Sequence, residues 1–186
     1  PVTNAPKVVT VAPRRVRLVF TGDTMAHDAV TRSARRHGEA TGRAYDFDPM
    51  WHLIQPVISR ADVAVCHLET TISTTGATPT GYPRFRAPFE LATSLRTAGY
   101  DMCTTASNHS YDYGTEGVVQ TIDALEQAGL QWAGTARTPE EHTARPALTA
   151  AGVRVAVLSA TYGLNGLRLP ADQPWLVDLI DVPRLL

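Results

Sequence analysis

This chain of 186 residues has only two cysteines, no long apolar run and no excess of one charge. Cys66 and Cys103 are too few for a disulfide scaffold and too far apart for a CxxC zinc site. The two cysteines are compatible with one disulfide or, more simply, with two small buried side chains. No apolar run reaches the roughly 18 to 20 residues of a transmembrane helix, and no basic stretch followed by an apolar one marks an export signal or anchor.

The charges are balanced, with 17 Lys plus Arg against 18 Asp plus Glu and a net charge of −1. They are interspersed along the chain, which argues against a nucleic-acid-binding arm and against a polybasic membrane patch. Hydrophobic residues make up 44% of the chain and can fill one domain-sized core. We expect a flexible segment over residues 1–15, a folded domain over 16–186, and no nucleic acid among the partners.

Short apolar strands alternate with helical segments along the chain. The predicted strands cover residues 16–20, 61–69, 100–106 and 130–134, followed by two strands with a tight turn within 146–160. The predicted helices cover residues 26–38, 48–60 with a break at Pro56, 89–99 and 115–129. The alternation indicates right-handed βαβ units and a mainly parallel sheet with helices on both faces. The Thr-, Gly- and Pro-rich stretch between 70 and 88 is predicted to be an irregular loop.

Polar clusters follow the first three strands, with the sequences GDTMAHD, HLET and SNHSYDYG. Ligands of open parallel sheets bind outside the carboxyl ends of the strands, so we expect Asp23, Glu69, Asn108 and His109 to meet in one pocket. Oxygen donors with an imidazole suit a divalent ion such as Mg, Mn, Fe or Zn. Each residue alone also has an ordinary explanation as a cap, a turn residue or a hydrogen-bonded histidine.

Four motifs resemble those of the bacterial CapA proteins: GDTM at 22–25, LET at 68–70, FRAP at 85–88 and SNHSYDYG at 107–114. That family is linked to poly-γ-glutamate capsule synthesis and is similar to the calcineurin-like metallophosphoesterases. Further matching segments, such as TYGLNG and QPWLVDLID, extend the resemblance over 16–186. It implies a four-layer α/β/β/α sandwich, incomplete in this chain because the family pattern continues beyond residue 186 with histidine-containing motifs. We therefore expect these 186 residues alone to bind metal weakly and to be inactive.

The resemblance also implies roles for the four residues of the expected pocket. Asp23, Glu69 and Asn108 match metal ligands, for an ion such as Mn, Fe, Zn or Mg. His109 matches the histidine that faces the scissile group, where it can stabilise charge or protonate a leaving oxygen. Asp112 follows closely enough to orient His109 through the second ring nitrogen.

Two positions depart from the family pattern. His67 stands where CapA sequences usually have Asn, so it is either an extra ligand or a side chain against the flank of the strand, and we favour the flank. The Asp-x-His motif of phosphoesterases lacks its histidine here, because Met25 stands two residues after Asp23. His27, four residues on, is a candidate to replace it.

Three functions are compatible with these residues. The favoured one is a capsule or cell-envelope enzyme, metal-dependent, that acts on poly-γ-glutamate or a related amide or phosphoester at the extracellular face of the membrane. The alternatives are a non-catalytic subunit that binds the polyanion or a membrane synthase, and a plain metallophosphoesterase. Arg84 and Arg86 can clamp a carboxylate or phosphate of an anionic polymer, or they are solvated loop arginines.

Overall fold

The computed structural model describes residues 15–144 and 146–182, so almost all of the expected flexible segment lies outside the described residues. The strands are β1 (Leu18–Thr24), β2 (Val63–Leu68), β3 (Thr71–Ser73), β4 (Arg86–Pro88), β5 (Met102–Thr104), β6 (Gln131–Ala133), β7 (Ala147–Ala150) and β8 (Val153–Ala156). The helices are α1 (Asp28–Thr41), α2 (Asp48–Trp51), α3 (Gln55–Ile58), α4 (Glu90–Ala98), α5 (Gly114–Gln127) and α6 (Pro139–Thr143). None of the helices within these ranges is long and apolar enough to cross a membrane.

A four-stranded parallel sheet in the order β1-β2-β5-β6 forms the centre of the molecule. Parallel neighbours require crossover connections, and α1 to α5 supply them. The α/β class with a parallel sheet, which the alternating pattern predicted, is confirmed.

Helices cover one face of this sheet. Ala64 and Leu68 of β2 point into a core that Leu91 and Leu95 of α4 and Leu125 of α5 complete, all of them at most 2% exposed. Alternate residues of a strand point to opposite faces, whereas residues three and four apart share one face of a helix. The apolar face of β2 and the apolar faces of α4 and α5 therefore pack against each other in this layer. Burying each of these leucines stabilises the fold by roughly 1.5 to 3 kcal/mol.

The other face of the sheet is covered by a β-hairpin and not by helices, which corrects the expectation of helices on both faces. Val63 and Val65 of β2 pack against Leu148 and Val155 of the antiparallel pair β7–β8. Leu148 and Ala150 of β7, two residues apart, both pack on this face, and a spacing of two suits a strand and not a helix. The predicted tight turn is confirmed at residues 151–152, both of which have positive φ. The hairpin adds the second β layer that an α/β/β/α sandwich requires.

The stretch between 70 and 88 is less irregular than predicted, because β3 and β4 form a short parallel pair within it. The hydroxyl of Thr71 donates to the carbonyl of Phe85 at 2.8 Å, and the backbone N–H of Ile72 donates to the hydroxyl of Thr121 at 2.9 Å. The first bond lies within the stretch, and the second docks it on α5. Strands of three residues are too short to show an alternation of apolar and polar residues, so the sequence did not predict β3 and β4.

Helix α1 continues past the glycine that was predicted to end it. Gly38 is buried within α1, where a Cβ atom would come within 2.6 Å of the carbonyl oxygen of Arg43. The helix ends instead at Gly42, which has φ 73° and closes the last turn. Close packing, and not termination, therefore explains the glycine at position 38.

Cys66 and Cys103 face each other on β2 and β5 and form a disulfide. Their Cα atoms are 4.5 Å apart because the two residues are in register on neighbouring strands. The simpler expectation of two separate buried side chains is therefore wrong.

Candidate functional site

A β-bulge in β1 determines where Asp23 points. Phe20 pairs with Val65 and Asp23 pairs with His67, so β1 has three residue steps where β2 has two. One extra residue reverses the faces of the residues that follow it. Asp23 therefore lies beside His67, on the hairpin side of the sheet. It also lies within β1, which was predicted to end at residue 20 but extends to Thr24.

His67 faces Asp23 and does not lie against the flank of the strand, where the sequence interpretation favoured it. Its Nε2 atom is 3.9 Å from Oδ1 of Asp23, and its Nδ1 atom is 2.8 Å from the hydroxyl oxygen of Thr104 on β5. The Asp23 side chain is 69% exposed, whereas that of His67 is 26% exposed. The pair thus lies at the border between the sheet and solvent.

Glu69 follows β2 directly and brings a second carboxyl group to Asp23. Its backbone N–H donates to the carbonyl of Thr24 at 3.2 Å, and the residue is 8% exposed. Burial and then the charge of Asp23 raise the pKa of Glu69, although the nearby His109 acts in the opposite direction. Its buried Oε2 atom has no hydrogen-bond partner. A buried carboxyl oxygen without a partner is costly, so this corner suits a cation or a proton.

His109 is held in place by Asp112, as the sequence predicted. Its Nδ1 atom is 2.8 Å from Oδ2 of Asp112, and the same oxygen accepts the backbone N–H of Phe85 at 2.7 Å. The ring of Phe85 meets the imidazole edge-on, with centroids 4.7 Å apart. Because Asp112 accepts at Nδ1, the lone pair of the neutral ring is on Nε2.

Asn165 joins Asn108 to His109 and was missed in the sequence analysis. Its Oδ1 atom accepts from Nδ2 of Asn108 at 3.2 Å, and its Nδ2 atom is 3.3 Å from each ring nitrogen of His109. The residue has φ 52°, a left-handed conformation that asparagine tolerates better than most residues. The Asn-Gly pair within TYGLNG indicated a turn there, but nothing local indicated a contact across 57 residues.

His27 caps the first turn of α1, because its Nδ1 atom accepts the backbone N–H of Asp28 at 2.8 Å. Its ring also meets the ring of Phe85, with centroids 5.4 Å apart. His27 is therefore at the rim of the same site, with one ring nitrogen engaged in the cap.

Arg84 and Arg86 flank Phe85 at this rim. The guanidinium of Arg86 donates to the carbonyl oxygen of Thr78 at 3.0 Å and stacks over the ring of Tyr113 at 4.3 Å. It is engaged in holding the loop, whereas Arg84 is exposed.

The structure thus brings together Asp23, Glu69 and His109, with Asn108 linked to them through Asn165. Across residues 15–144 and 146–182, no three His, Cys, Asp or Glu side chains form a group that would hold a metal ion as they stand. The donor set still fits a divalent ion in chemistry, since it combines two carboxylates, one of them with an unpartnered buried oxygen, with imidazole and amide groups. A cleft of about 370 Å³ adjoins Asp23 and is otherwise lined mainly by apolar side chains.

The chain is similar to one protein family and to two individual proteins. A family model described as bacterial capsule synthesis protein PGA_cap matches residues 17–178, most of the chain. Two proteins of Sinorhizobium fredii, uncharacterized protein y4sH and uncharacterized protein y4uA, are each 30% identical to it over 83 residues. The match covers 45% of this chain and 18% of each relative's length.

Proposed function

The chain belongs to the bacterial capsule synthesis protein family PGA_cap, and we propose that it acts in the cell envelope on poly-γ-glutamate or a related anionic polymer through a metal-dependent, hydrolase-type site. The observation that carries this proposal is the meeting of two features in one corner. Glu69 has a buried carboxyl oxygen without a partner, and the adjacent His109 is oriented by Asp112.

Asp23, Glu69 and Asn108 are the residues that would hold the ion, with Mn, Fe, Zn and Mg as candidates. A divalent ion bound there supplies Lewis-acid polarisation of the scissile amide or phosphoester. The two carboxylates contribute the negative charge that retains a cation in a partly buried corner. Asn108 offers an amide whose Oδ1 atom now accepts from the hydroxyl of Ser107 at 3.1 Å.

His109 is the proposed catalytic residue. Asp112 accepts the N–H at Nδ1, so Nε2 is the atom that exchanges a proton with the substrate. Phe85 packs edge-on against the ring, and His109 is only 8% exposed, so the imidazole is held in one orientation.

The rim of the site suits an anionic substrate. Arg84 is exposed beside Phe85, and a cation at this position can meet carboxylates spaced along a polymer. Arg86 shapes the same rim through its bonds to the loop. A membrane synthase that delivers the polymer is the other partner we propose.

The full-length protein tests the proposal. Metal content after mild purification should show a bound divalent ion, and γ-glutamyl substrates should be hydrolysed in its presence. Turnover of phosphoesters alone would identify a plain metallophosphoesterase instead. Retention of poly-γ-glutamate without turnover of either class would identify the non-catalytic binding subunit.

A further inference from the structure

The disulfide between Cys66 and Cys103 lies at the centre of the sheet. The two residues are in register on β2 and β5, the inner strands of the order β1-β2-β5-β6. Their Cα atoms are 4.5 Å apart, and both residues have an exposed fraction of 0%. Neither cysteine is therefore on an edge strand or at a surface that another molecule can reach.

The helix layer encloses both cysteines. They belong to one core cluster with Leu95 of α4 and with Ala124 and Leu125 of α5, all of them 0% exposed. Thiol–disulfide exchange requires that a thiolate reach a sulfur atom directly. The bond can therefore be made or broken only while α4 and α5 are not packed on the sheet, which means that the core is open. A redox switch that acts on the folded protein does not fit this burial.

The oxidised state of so deeply buried a pair indicates where the chain folds. The cytosol keeps thiols reduced, whereas the bacterial periplasm and the cell surface are oxidising. A chain that folded in the cytosol would enclose two thiols beneath α4 and α5, where a later oxidant would not reach them. The buried disulfide thus favours oxidation of a chain that is still open and already outside the cytosol.

We propose that Cys66 and Cys103 are the substrate of a thiol-oxidising exchange protein of the cell envelope, which acts before α4 and α5 pack on the sheet. One cysteine thiolate attacks the disulfide of the oxidant, forms a mixed disulfide and releases one thiolate of the oxidant. The second cysteine thiolate then attacks the sulfur of the first, closes the bond and releases the other thiolate of the oxidant. The chain loses two protons and two electrons, and the disulfide of the oxidant is reduced to a dithiol.

This inference goes beyond the proposed function, because it requires neither the metal ion nor the anionic polymer. It assigns the chain a partner of defined chemistry and an order of events, in which arrival in the envelope precedes oxidation and oxidation precedes folding. The order has two measurable consequences, one for the host that exports the protein and one for the folded protein itself.

The first test counts thiols in the full-length protein exported to the periplasm of a bacterial host. The protein is quenched in acid, unfolded in urea with an alkylating reagent and analysed by peptide mass spectrometry. We expect no alkylation at Cys66 and Cys103 in the complete host, and alkylation of both with a lower yield in a host that lacks its periplasmic thiol oxidase. The double variant Cys66→Ala/Cys103→Ala is the matched control, and its yield should be equal in the two hosts. Two alkylated cysteines in the complete host, or full oxidation in the host without the oxidase, would overturn the inference.

The second test needs no variant. The oxidised protein is incubated with dithiothreitol in buffer and in urea, and the thiols released are alkylated at intervals. Reduction in buffer should be at least about 10³-fold slower than in urea, because only about 10⁻³ to 10⁻⁶ of a folded protein is open at any time. Equal rates in the two solutions would overturn the inference and would indicate an accessible redox switch instead. Metal content and hydrolysis of γ-glutamyl substrates are measured separately, so their failure would affect only the proposed function.

Discussion

Asp23 stands opposite His67 because β1 contains one more residue than β2 between the Phe20–Val65 and Asp23–His67 pairs. With an unbroken ladder Asp23 would pair with Leu68, whose side chain points into the helix-side core. The carboxylate would then be buried among apolar groups and far from Nε2 of His67. Whether the carboxylate of Asp23 lies in the site thus depends on one extra residue in β1.

Deleting Gly22 should give an unbroken ladder in which Thr21 pairs with Cys66 and Asp23 still pairs with His67, because the deletion removes the one extra residue of β1. Mn²⁺ affinity should then stay near that of the unmodified chain and above that of Asp23→Ala, measured by calorimetry beside circular dichroism. Gly22→Ala is the control, since a Cβ atom at this glycine meets nothing within 4 Å and the backbone is not left-handed. A fall of the deletion variant to the level of Asp23→Ala would show that the pairing with His67 alone does not position Asp23.

Replacing His109 by alanine should lower turnover of the full-length protein by roughly 10²- to 10⁴-fold, the range for a lost general acid, while metal content stays nearly intact. Asp23→Ala should lose both turnover and metal. Elemental analysis and initial rates on the same preparations separate the two effects. Loss of metal in His109→Ala would make the imidazole a ligand, and no change in either quantity would make the Asn-His pair structural.

Asn165 should act as a positioning residue for His109. Asn165→Gly removes the amide but keeps a residue that adopts the left-handed backbone without strain. The expected result is a lower kcat with an unchanged KM, by less than His109→Ala causes, and altered ¹⁵N signals of the His109 ring. Asp172→Asn, at an exposed position farther along the chain, should change none of these. Identical kcat and ring signals in Asn165→Gly would show that the contact does not hold the imidazole.

Arg137 should contribute measurably to stability, because its guanidinium joins three carboxylates. It donates to Asp123 at 2.6 Å, to Glu126 at 2.8 Å and to Glu141 at 2.8 Å. All of these groups are partly exposed, which reduces the effect, so Arg137→Ala should lower the free energy of unfolding by about 1 to 3 kcal/mol. Urea denaturation at pH 7 measures it. Arg154→Ala, at an exposed position of the hairpin, should stay within about 0.5 kcal/mol of the unmodified chain.

The same network predicts a pH dependence. Burial alone would raise the pKa of Glu141, but the hydrogen bonds and charge of Arg137 outweigh it and hold that pKa below its ordinary value. A lowered folded-state pKa gives stability that is present above the unfolded-state pKa and is lost as the pH falls through the folded-state value. The difference in stability between the unmodified chain and Arg137→Ala should therefore shrink in acid. A difference that is constant from neutral pH to pH 3 would contradict this linkage.

Local patterns in the chain were sufficient for the main elements and for the meeting of the polar clusters. Apolar runs predicted β2 and β5, helical spacing predicted α4 and α5, and the turn at 151–152 predicted the hairpin. Since the carboxyl ends of parallel strands share one edge, the polar clusters at the ends of β1, β2 and β5 had to approach each other. The spacing of buried side chains is a local property, so a stretch of about ten to fifteen residues is enough to recognise it.

Pairing across the sheet decided the rest. The bulge that turns Asp23 to His67, the register that joins Cys66 to Cys103, and the contact of Asn165 with His109 all depend on residues distant in the chain. A side-chain pattern specifies which face is buried, but a one-residue change of register reverses that face at little cost in local propensity. Which side chains meet in the site therefore depends on the free energy of the whole packed sheet and not on any single segment.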